Sequence, residues 1–400
     1  MKSPALPPRG TVYFCFANPS GFSGQKAATE LVMTALRARG WRCRSLPLPL
    51  FDRIGTGRFA LVRYLLALLA AWFRCSRLLF GGKSVLCVNM GQTRSSFLRD
   101  AIPLLLGWVG QGRRRLIISL HGSLFMNWGR ESVDGRIFRF FLMRAGIVTV
   151  LGARQKAHLV ALGIPSDRVQ VVINSCNLEV ASTKAVTAKH GASGKLTAVR
   201  CLYLSSLIDT KGYPEYLEAL LRLTELPGVK IEAVLCGRYV PCEFAQRFAD
   251  APSAENWIAQ QMAAINRSAR VKVSWVKGAM GAAKADLFGS AHVFILPTRY
   301  PVEAQPVVLL EAMASGCALI TTRAGEIPTI LDERSAVFLA EASTESLVLS
   351  LQAIVASPAT RARLALAAHA RFVKYYQLER HLDRWETLLG AGGASIGVAP

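Results

Sequence analysis

Apolar positions follow two spacings that alternate along the chain. Short runs of β-forming residues at 11–18 (TVYFCFAN), 84–90, 115–122, 146–152 and 169–174 predict strands. Between them apolar residues recur at helical spacing, as in KAATELVMTALRARG, which Gly40 closes. A second series of strand patterns follows at 200–207, 229–237, 270–278, 291–298 and 317–325, again with helical stretches between. The last helical pattern runs from about Arg361 to Leu389 with a break near Gln377. Strand–helix alternation of this kind predicts two successive parallel α/β units. Glu179 to Ala198 is small and polar, without large apolar residues, and reads as the linker between them. The expected divisions are an N-terminal domain over 1–185, a second over 196–372, a helix over 373–390 crossing back to the first, and an unstructured tail over 391–400. Ligands of open α/β sheets bind beyond the C-terminal ends of the strands. Two such units imply a cleft that holds one substrate on each side.

Composition narrows the class. The 400 residues are 52% hydrophobic and 18% charged, too apolar for a disordered chain. The net charge of +22 is lopsided: residues 1–195 hold 28 Lys and Arg against 7 Asp and Glu, and residues 196–400 hold 20 against 19. The N-terminal half therefore calls for an anionic partner: nucleic acid, a membrane surface or a phosphate-rich substrate. Its basic residues are scattered, with no recognition helix and no interleaved stacking aromatics, which argues against nucleic acid. In the stretch 58–80, Arg63, Arg74 and Arg77 fall on one narrow helical face, with leucines, Tyr64, Trp72 and Phe73 around much of the rest. An interfacial membrane helix has this pattern, and so does a core helix with one solvated edge. The charge asymmetry predicts docking on anionic headgroups, where a lipid-diphosphate-linked acceptor would be received. Arg113, Arg114 and Arg115 read as a solvated turn. The strongly apolar core of the stretch, Tyr64 to Phe73, is far shorter than the roughly 20 residues that span a bilayer. The nine cysteines form no C-x-x-C pair and sit among apolar residues, which predicts buried free thiols in a reducing compartment. The opening MKSPALPPRGTVYF shows no signal-peptide core. A cytoplasmic protein, soluble or peripheral on the inner face of the membrane, is expected.

The candidate chemistry lies at 294–331. A buried strand is expected to end at Pro297 and a loop to carry Glu303. Pro306 suits the first turn of a helix, where its missing N–H costs nothing. Glu311 lies further along that helix, and Gly316 closes it. The helix start offers free N–H groups and a positive dipole end to a phosphate. Glu303, still in the loop, can reach a ligand there. Glu311, more than a turn deeper, can accept from sugar hydroxyls such as a ribose diol. Standing alone, two glutamates eight residues apart fit a solvated helix equally well. The chain holds no Asp-x-Asp, the usual carboxylate cage for a divalent ion on a nucleotide diphosphate. A glycosidase pair across one bond does not fit two carboxylates that follow one ligand.

Glu303-Ala304-Gln305-Pro306, Glu311-Ala312-Met313-Ala314-Ser315-Gly316 and Ala324-Gly325-Glu326-Ile327-Pro328 together resemble the signature of retaining glycosyltransferases of family 4, the glycosyl transferases group 1. Segments 202–212, 169–177 and 273–294 resemble other stretches of that family in the expected order. The resemblance implies the GT-B fold, α/β, with two Rossmann-like domains whose parallel sheets face across a cleft. It implies transfer of a sugar, of hexosyltransferase type, from a nucleotide sugar to a saccharide or lipid-linked saccharide acceptor, as in bacterial polysaccharide biosynthesis. Neither metal nor other cofactor is expected. By the same resemblance Glu303 positions the transferred sugar, Glu311 holds the ribose, and Lys211 faces the diphosphate. Gly237, Gln305, Pro306, Val307 and Val308 complete the nucleotide-sugar site. His121, after the strand LIISL, contacts the reacting sugar from the first domain. Gly21, Ser23 and Gly24 form the flexible loop on the acceptor side. His158, His292 and His369 read as hydrogen-bonded core histidines. The chain departs from the family where Ala304 and Gln305 replace the commoner Gly-Phe, and where Ser206 replaces an Arg. Two rivals stay open: a nucleotide-sugar epimerase or hydrolase on the same fold and, because of the serine, a non-catalytic partner subunit of a transferase complex.

Overall fold

In the computed structural model, residues 9–17, 24–50, 59–76, 78, 82–110, 114–191, 198–227, 230–245 and 247–390 are described. The chain forms two units, Met1–Ser175 with Leu378–Pro400, and Cys176–Gln377. The expected tail 391–400 and the loop residues Gly21 and Ser23 lie outside the described residues.

The first unit is a six-stranded parallel sheet of β1 (Thr11–Ala17), β2 (Arg42–Leu48), β3 (Ser84–Asn89), β4 (Arg114–Ser119), β5 (Ile147–Val150) and β6 (Val169–Val171). The spatial order is β2-β1-β3-β4-β5-β6, so the chain reverses direction across the sheet between β1 and β3. Right-handed crossovers then send the helices to opposite faces. On one side α1 (Gly24–Ala38) packs Val32, Met33 and Leu36 against Val12 and Phe14. On the other, α2 (Ala60–Ser76), α3 (Arg94–Val109), α4 (Val133–Leu142) and α5 (Ala153–Ala161) cover Cys15, Leu86, Ile118 and Val148. Sequence patterning missed β2, because RCRSLPL carries two arginines and a proline. As an edge strand it tolerates Pro47, whose missing N–H breaks no ladder on the open side.

Residues 183–189 correct the linker expectation. They form α6 (Thr183–Lys189), capped by the Ser182 hydroxyl, with Val186 fully buried in the second unit. The small residues let this helix lie close. Lys189 Nζ donates to the carbonyls of Phe288 and Ser315 at 3.0 and 2.6 Å, and His190 Nε2 meets the Gly316 carbonyl at 2.9 Å. The second unit thus begins at Cys176.

Its sheet is also parallel, built from β7 (Val199–Leu204), β8 (Ile231–Cys236), β9 (Val271–Val276), β10 (Val293–Leu296), β11 (Ala318–Thr321) and β12 (Val337–Phe338), in the order β12-β11-β10-β7-β8-β9. Helices α7 (Tyr213–Leu223), α8 (Ala251–Ile265), α9 (Gly281–Ser290), α10 (Val307–Ala314), α11 (Ile327–Ile330), α12 (Thr344–Ala356) and α13 (Pro358–Tyr375) complete it. The two-residue β12 is too short to leave a periodic signal. The helical pattern after Arg361 does break at Tyr376–Gln377, and α14 (Leu378–Gly390) rejoins the first unit on the α1 face. There Leu382, Trp385 and Leu388 enter the core, with the Trp385 ring edge-on to Phe14 at 6.0 Å.

Candidate active site

In the second unit the chain runs outward from β7 toward β8 and β9 in one direction, and toward β10, β11 and β12 in the other. Neighbouring strands β7 and β10 therefore mark the switch point, where the loops at their C-terminal ends splay apart and leave room for a ligand. The β7 loop brings Lys211 and the β10 loop brings Glu303, and their side chains meet, Nζ to Oε2 at 3.3 Å. Both are held from below. The Lys211 carbonyl accepts from Tyr203 Oη at 3.2 Å, and Lys211 Nζ lies 4.9 Å from the centre of the Tyr300 ring. Gly212 next to it has φ +86°, and a Cβ there would strike Pro297. Glu303 is buried, with Thr298 Oγ1 donating to its Oε2 at 3.5 Å. Behind it Gly325, at φ +52°, leaves space for the carbonyls of Glu303 and Ala304, and Glu326 N donates to the Ala304 carbonyl at 2.7 Å.

Pro306 corrects its expected place by one position. It is the N-cap of α10, with φ −63° and ψ 115°, and Val307 is the first helical residue. The first N–H groups of a helix have no intrahelical acceptor. Here the Leu309 amide folds back onto the Pro306 carbonyl at 3.1 Å, while Val307 and Val308 stand at the open end. Beyond them α10 is buried from Leu309 to Ala314, Glu311 included. Glu311 Oε1 accepts from Lys284 Nζ of α9 at 2.6 Å; Glu311 is buried and Lys284 half-buried. Its second oxygen, Oε2, is buried and has no hydrogen-bond partner among the described residues. Burial raises the Glu311 pKa, against the opposing pull of Lys284. An orphaned buried carboxylate oxygen is costly unless something completes it, and a vicinal diol of a ligand would supply the missing donor.

Gln305 is buried in the same loop. Ser206 is half-buried after β7, and its carbonyl accepts from Ile208 N at 2.9 Å. Gly237 closes β8, its N–H donating to the Val276 carbonyl at 2.9 Å and its carbonyl accepting from Trp275 Nε1 at 3.0 Å. Among the described residues, no group of three His, Cys, Asp or Glu side chains could hold a metal.

Residues 188–371 match the family model described as glycosyl transferases group 1. The second unit belongs to the glycosyl transferases group 1 family. No curated protein matches the chain in sequence. Solved structures do match in shape. HepE from Anabaena, in complex with UDP and glucose, has a TM-score of 0.65 at 15% identity, over 94% of this chain and 99% of that one. Sucrose-phosphate synthase from Thermosynechococcus elongatus has 0.67 at 17% identity, over 95% and 98%. TarM of S. aureus has 0.57 at 14% identity, over 81% and 59%. These likenesses show the fold, which is GT-B.

The group 1 glycosyltransferase unit gathers Lys211, Glu303, the α10 start and Glu311 along its switch point. Lys284, which no sequence motif marks as functional, is the ion partner that lets Glu311 stand in an apolar helix. In the first unit, His121 follows β4 and lines a small, mostly apolar cavity of about 20 Å3, to which Thr29, Asn89, Ser119, Thr149 and His381 add polar groups. Such a volume suits about one water. His121 Nε2 lies 3.3 Å from Ser119 Oγ, which itself accepts from Thr149 Oγ1 at 2.8 Å. Burial pushes the His121 pKa down to about 4, so the ring is neutral at pH 7. Its loop is braced by two residues the sequence did not mark. Gln92 Nε2 and Gln155 Nε2 both donate to the Gly122 carbonyl, at 2.9 and 3.0 Å. Gly24 opens α1.

The other histidines divide. His292 Nδ1 accepts from Arg200 N at 2.9 Å and His369 Nε2 meets the Ala181 carbonyl at 2.7 Å, as expected of core histidines. His158 differs: its buried Nε2 has no hydrogen-bond partner among the described residues, and its ring packs on Phe125 at 5.9 Å. Eight of the nine cysteines are buried and all are free thiols; Cys242 is half-buried.

Proposed function

We propose that the chain transfers a sugar from a nucleotide diphosphate sugar to a saccharide or lipid-linked saccharide acceptor, with retention of anomeric configuration and without a metal. The observation that carries this reading is the row formed by Lys211, Glu303, the open end of α10 and the unpartnered Oε2 of Glu311 in one group 1 unit. Its order matches the donor itself: sugar at Glu303, diphosphate at Lys211 and the N–H groups of Val307 and Val308, ribose diol at Glu311. HepE, which shares the fold, was crystallised with UDP-glucose as well as with UDP and glucose. Negative charge builds on the departing diphosphate, so stabilisation of that charge is the largest demand on the site. Lys211 and the helix end meet it, and Ser206 adds a hydroxyl in place of the family's Arg. Departure and attack on the same sugar face give retention. His121 is carried as an acceptor-side residue. A role in bacterial surface polysaccharide assembly rests on the sequence resemblance alone.

A thermal-shift screen against UDP-, GDP- and ADP-sugars identifies the donor, because a ligand of the native state raises the melting point. With that donor, Glu303→Ala and Lys211→Ala should each lower turnover by at least about 100-fold, roughly the loss of one strong transition-state interaction. Melting points without ligand should stay near that of the parent, and transfer should persist in EDTA. Near-normal transfer by either variant removes the assignment, and loss of transfer in EDTA removes the metal-free mechanism.

A further inference from the structure

Helices α2, α3 and α4 cover one face of the first sheet, and the outward side of such a layer is ordinarily polar. On α2 it is not. Its inward side is narrow, with only Leu68, Ala71 and Cys75 buried, and Trp72 Nε1 donating to the Arg99 carbonyl at 3.0 Å. Leu61, Leu65, Leu66, Leu69 and Phe73 all face outward, Leu66 at 60% and Phe73 at 72% exposure. At 100° per residue these five fall within an arc of about 140°, and Arg63 and Arg74 sit together about 60–80° beyond its edge. The sequence pattern left open a core helix with one solvated edge; the exposed leucines overturn it. No Asp or Glu occurs in α2. The same layer exposes further apolar residues. Trp108 and Val109 at the end of α3 and Phe140 and Met143 at the end of α4 are exposed, and the Arg144 guanidinium lies over the Trp108 and Phe140 rings at 4.8 and 3.5 Å.

So many large apolar side chains exposed on one helical layer mark a binding surface. Its charge selects the partner. The first unit holds 27 Lys and Arg against 9 Asp and Glu, while the second holds 21 against 17. A second copy of this chain would bring the same strong positive charge to the contact and be repelled. An anionic bilayer brings the opposite charge and an apolar interior together. Among the described residues no helix is long and apolar enough to cross a membrane, so α2 would lie in the surface.

We propose that the outer face of α2, α3 and α4 docks on an anionic lipid bilayer, with the α2 leucines and Phe73 at the acyl boundary and Arg63 and Arg74 on lipid phosphates. The proposal does not depend on the transfer reaction, because the assay reads binding alone.

The test is flotation of the full chain with vesicles of phosphatidylcholine, alone or with roughly 30% phosphatidylglycerol, at low and high salt. Binding should be at least about tenfold stronger to the anionic vesicles and fall as salt screens the headgroups. Leu66→Glu with Leu69→Glu should abolish it, and both sites are exposed, so the melting point should hold. Arg63→Glu with Arg74→Glu should remove the preference for anionic lipid. Three results overturn the proposal: flotation with neither vesicle, undiminished binding by the leucine variant, or a dimer of the parent chain that the leucine variant disrupts while no vesicle is bound.

Discussion

Glu311 is an expensive residue for the second unit to hold. Its carboxylate is buried in a helix that is otherwise apolar, and the Lys284 ion pair offsets only part of the desolvation. Fold stability gives no reason for that arrangement, whereas a ligand hydroxyl at Oε2 does. A charged acceptor makes the stronger bond, so binding should require the ionised form. Because burial raises the Glu311 pKa, nucleotide affinity should fall on acidification at a pH above the ordinary Glu value of about 4.3. Titration calorimetry with the identified nucleotide between pH 8 and pH 5 reads this directly. Glu311→Gln should weaken binding by about tenfold at pH 7, in line with the loss of a charged hydrogen bond, and flatten the profile. An unchanged profile in the variant would show that another group titrates. The two glutamates stand out in the sequence only with the motifs around them, since their spacing alone fits a solvated helix equally well. Lys284 was not legible as a functional group, because GAAKADLF reads like any solvated helix and its partner lies 27 residues away. Gln92 and Gln155 carry no charge and no motif, so only the fold shows that they brace the His121 loop.

At the scale of elements, the strand ends matter more than the strands. Strong periodic segments such as β4 and β10 stood out in the sequence, while β2 was hidden by its arginines and proline. The linker reading of 179–198 failed for a specific reason. Small residues signal a loop when nothing covers them, but here they allow α6 to lie close beneath the end of α10, with Lys189 on the Ser315 carbonyl. The loop carrying Glu303 is similarly shaped by a neighbour. Gly325 faces the carbonyls of Glu303 and Ala304 with no room for a side chain. Gly325→Ala should push that loop away from Lys211. Turnover should drop by at least about tenfold, since small displacements at a reacting centre are costly, and nucleotide affinity through Glu311 should change less. A kcat and Kd comparison on the same preparation separates these effects; equal losses in both would mean that α10 itself had moved.

At the scale of the molecule, the two units are built differently along the chain. The second is one continuous stretch, 176–377, while the first is closed by α14 from the far end. The sequence pattern around Gln377 showed the break between helices, but no local signal says which sheet a helix will cover. A fragment of residues 176–377 should fold alone and keep its nucleotide binding. Residues 1–175 alone lack Leu382, Trp385 and Leu388 from the core on the α1 face. Loss of the Trp385 ring by itself should remove about 3–5 kcal/mol from that unit, the usual range for a buried Trp replaced by Ala. Circular dichroism melts of the two fragments and of Trp385→Ala test this, and a cooperatively melting 1–175 fragment would contradict it.

The return of α14 also sets an order of assembly during synthesis. The strands of the first sheet leave the ribosome early, yet α14, which completes the cover that α1 begins on one of its faces, emerges only after the whole second unit. At about 5–20 residues per second, the intervening stretch takes on the order of 10–40 s to translate. Throughout that interval the nascent chain carries a sheet face that α1 covers only in part, and it is then that a chaperone has most to protect.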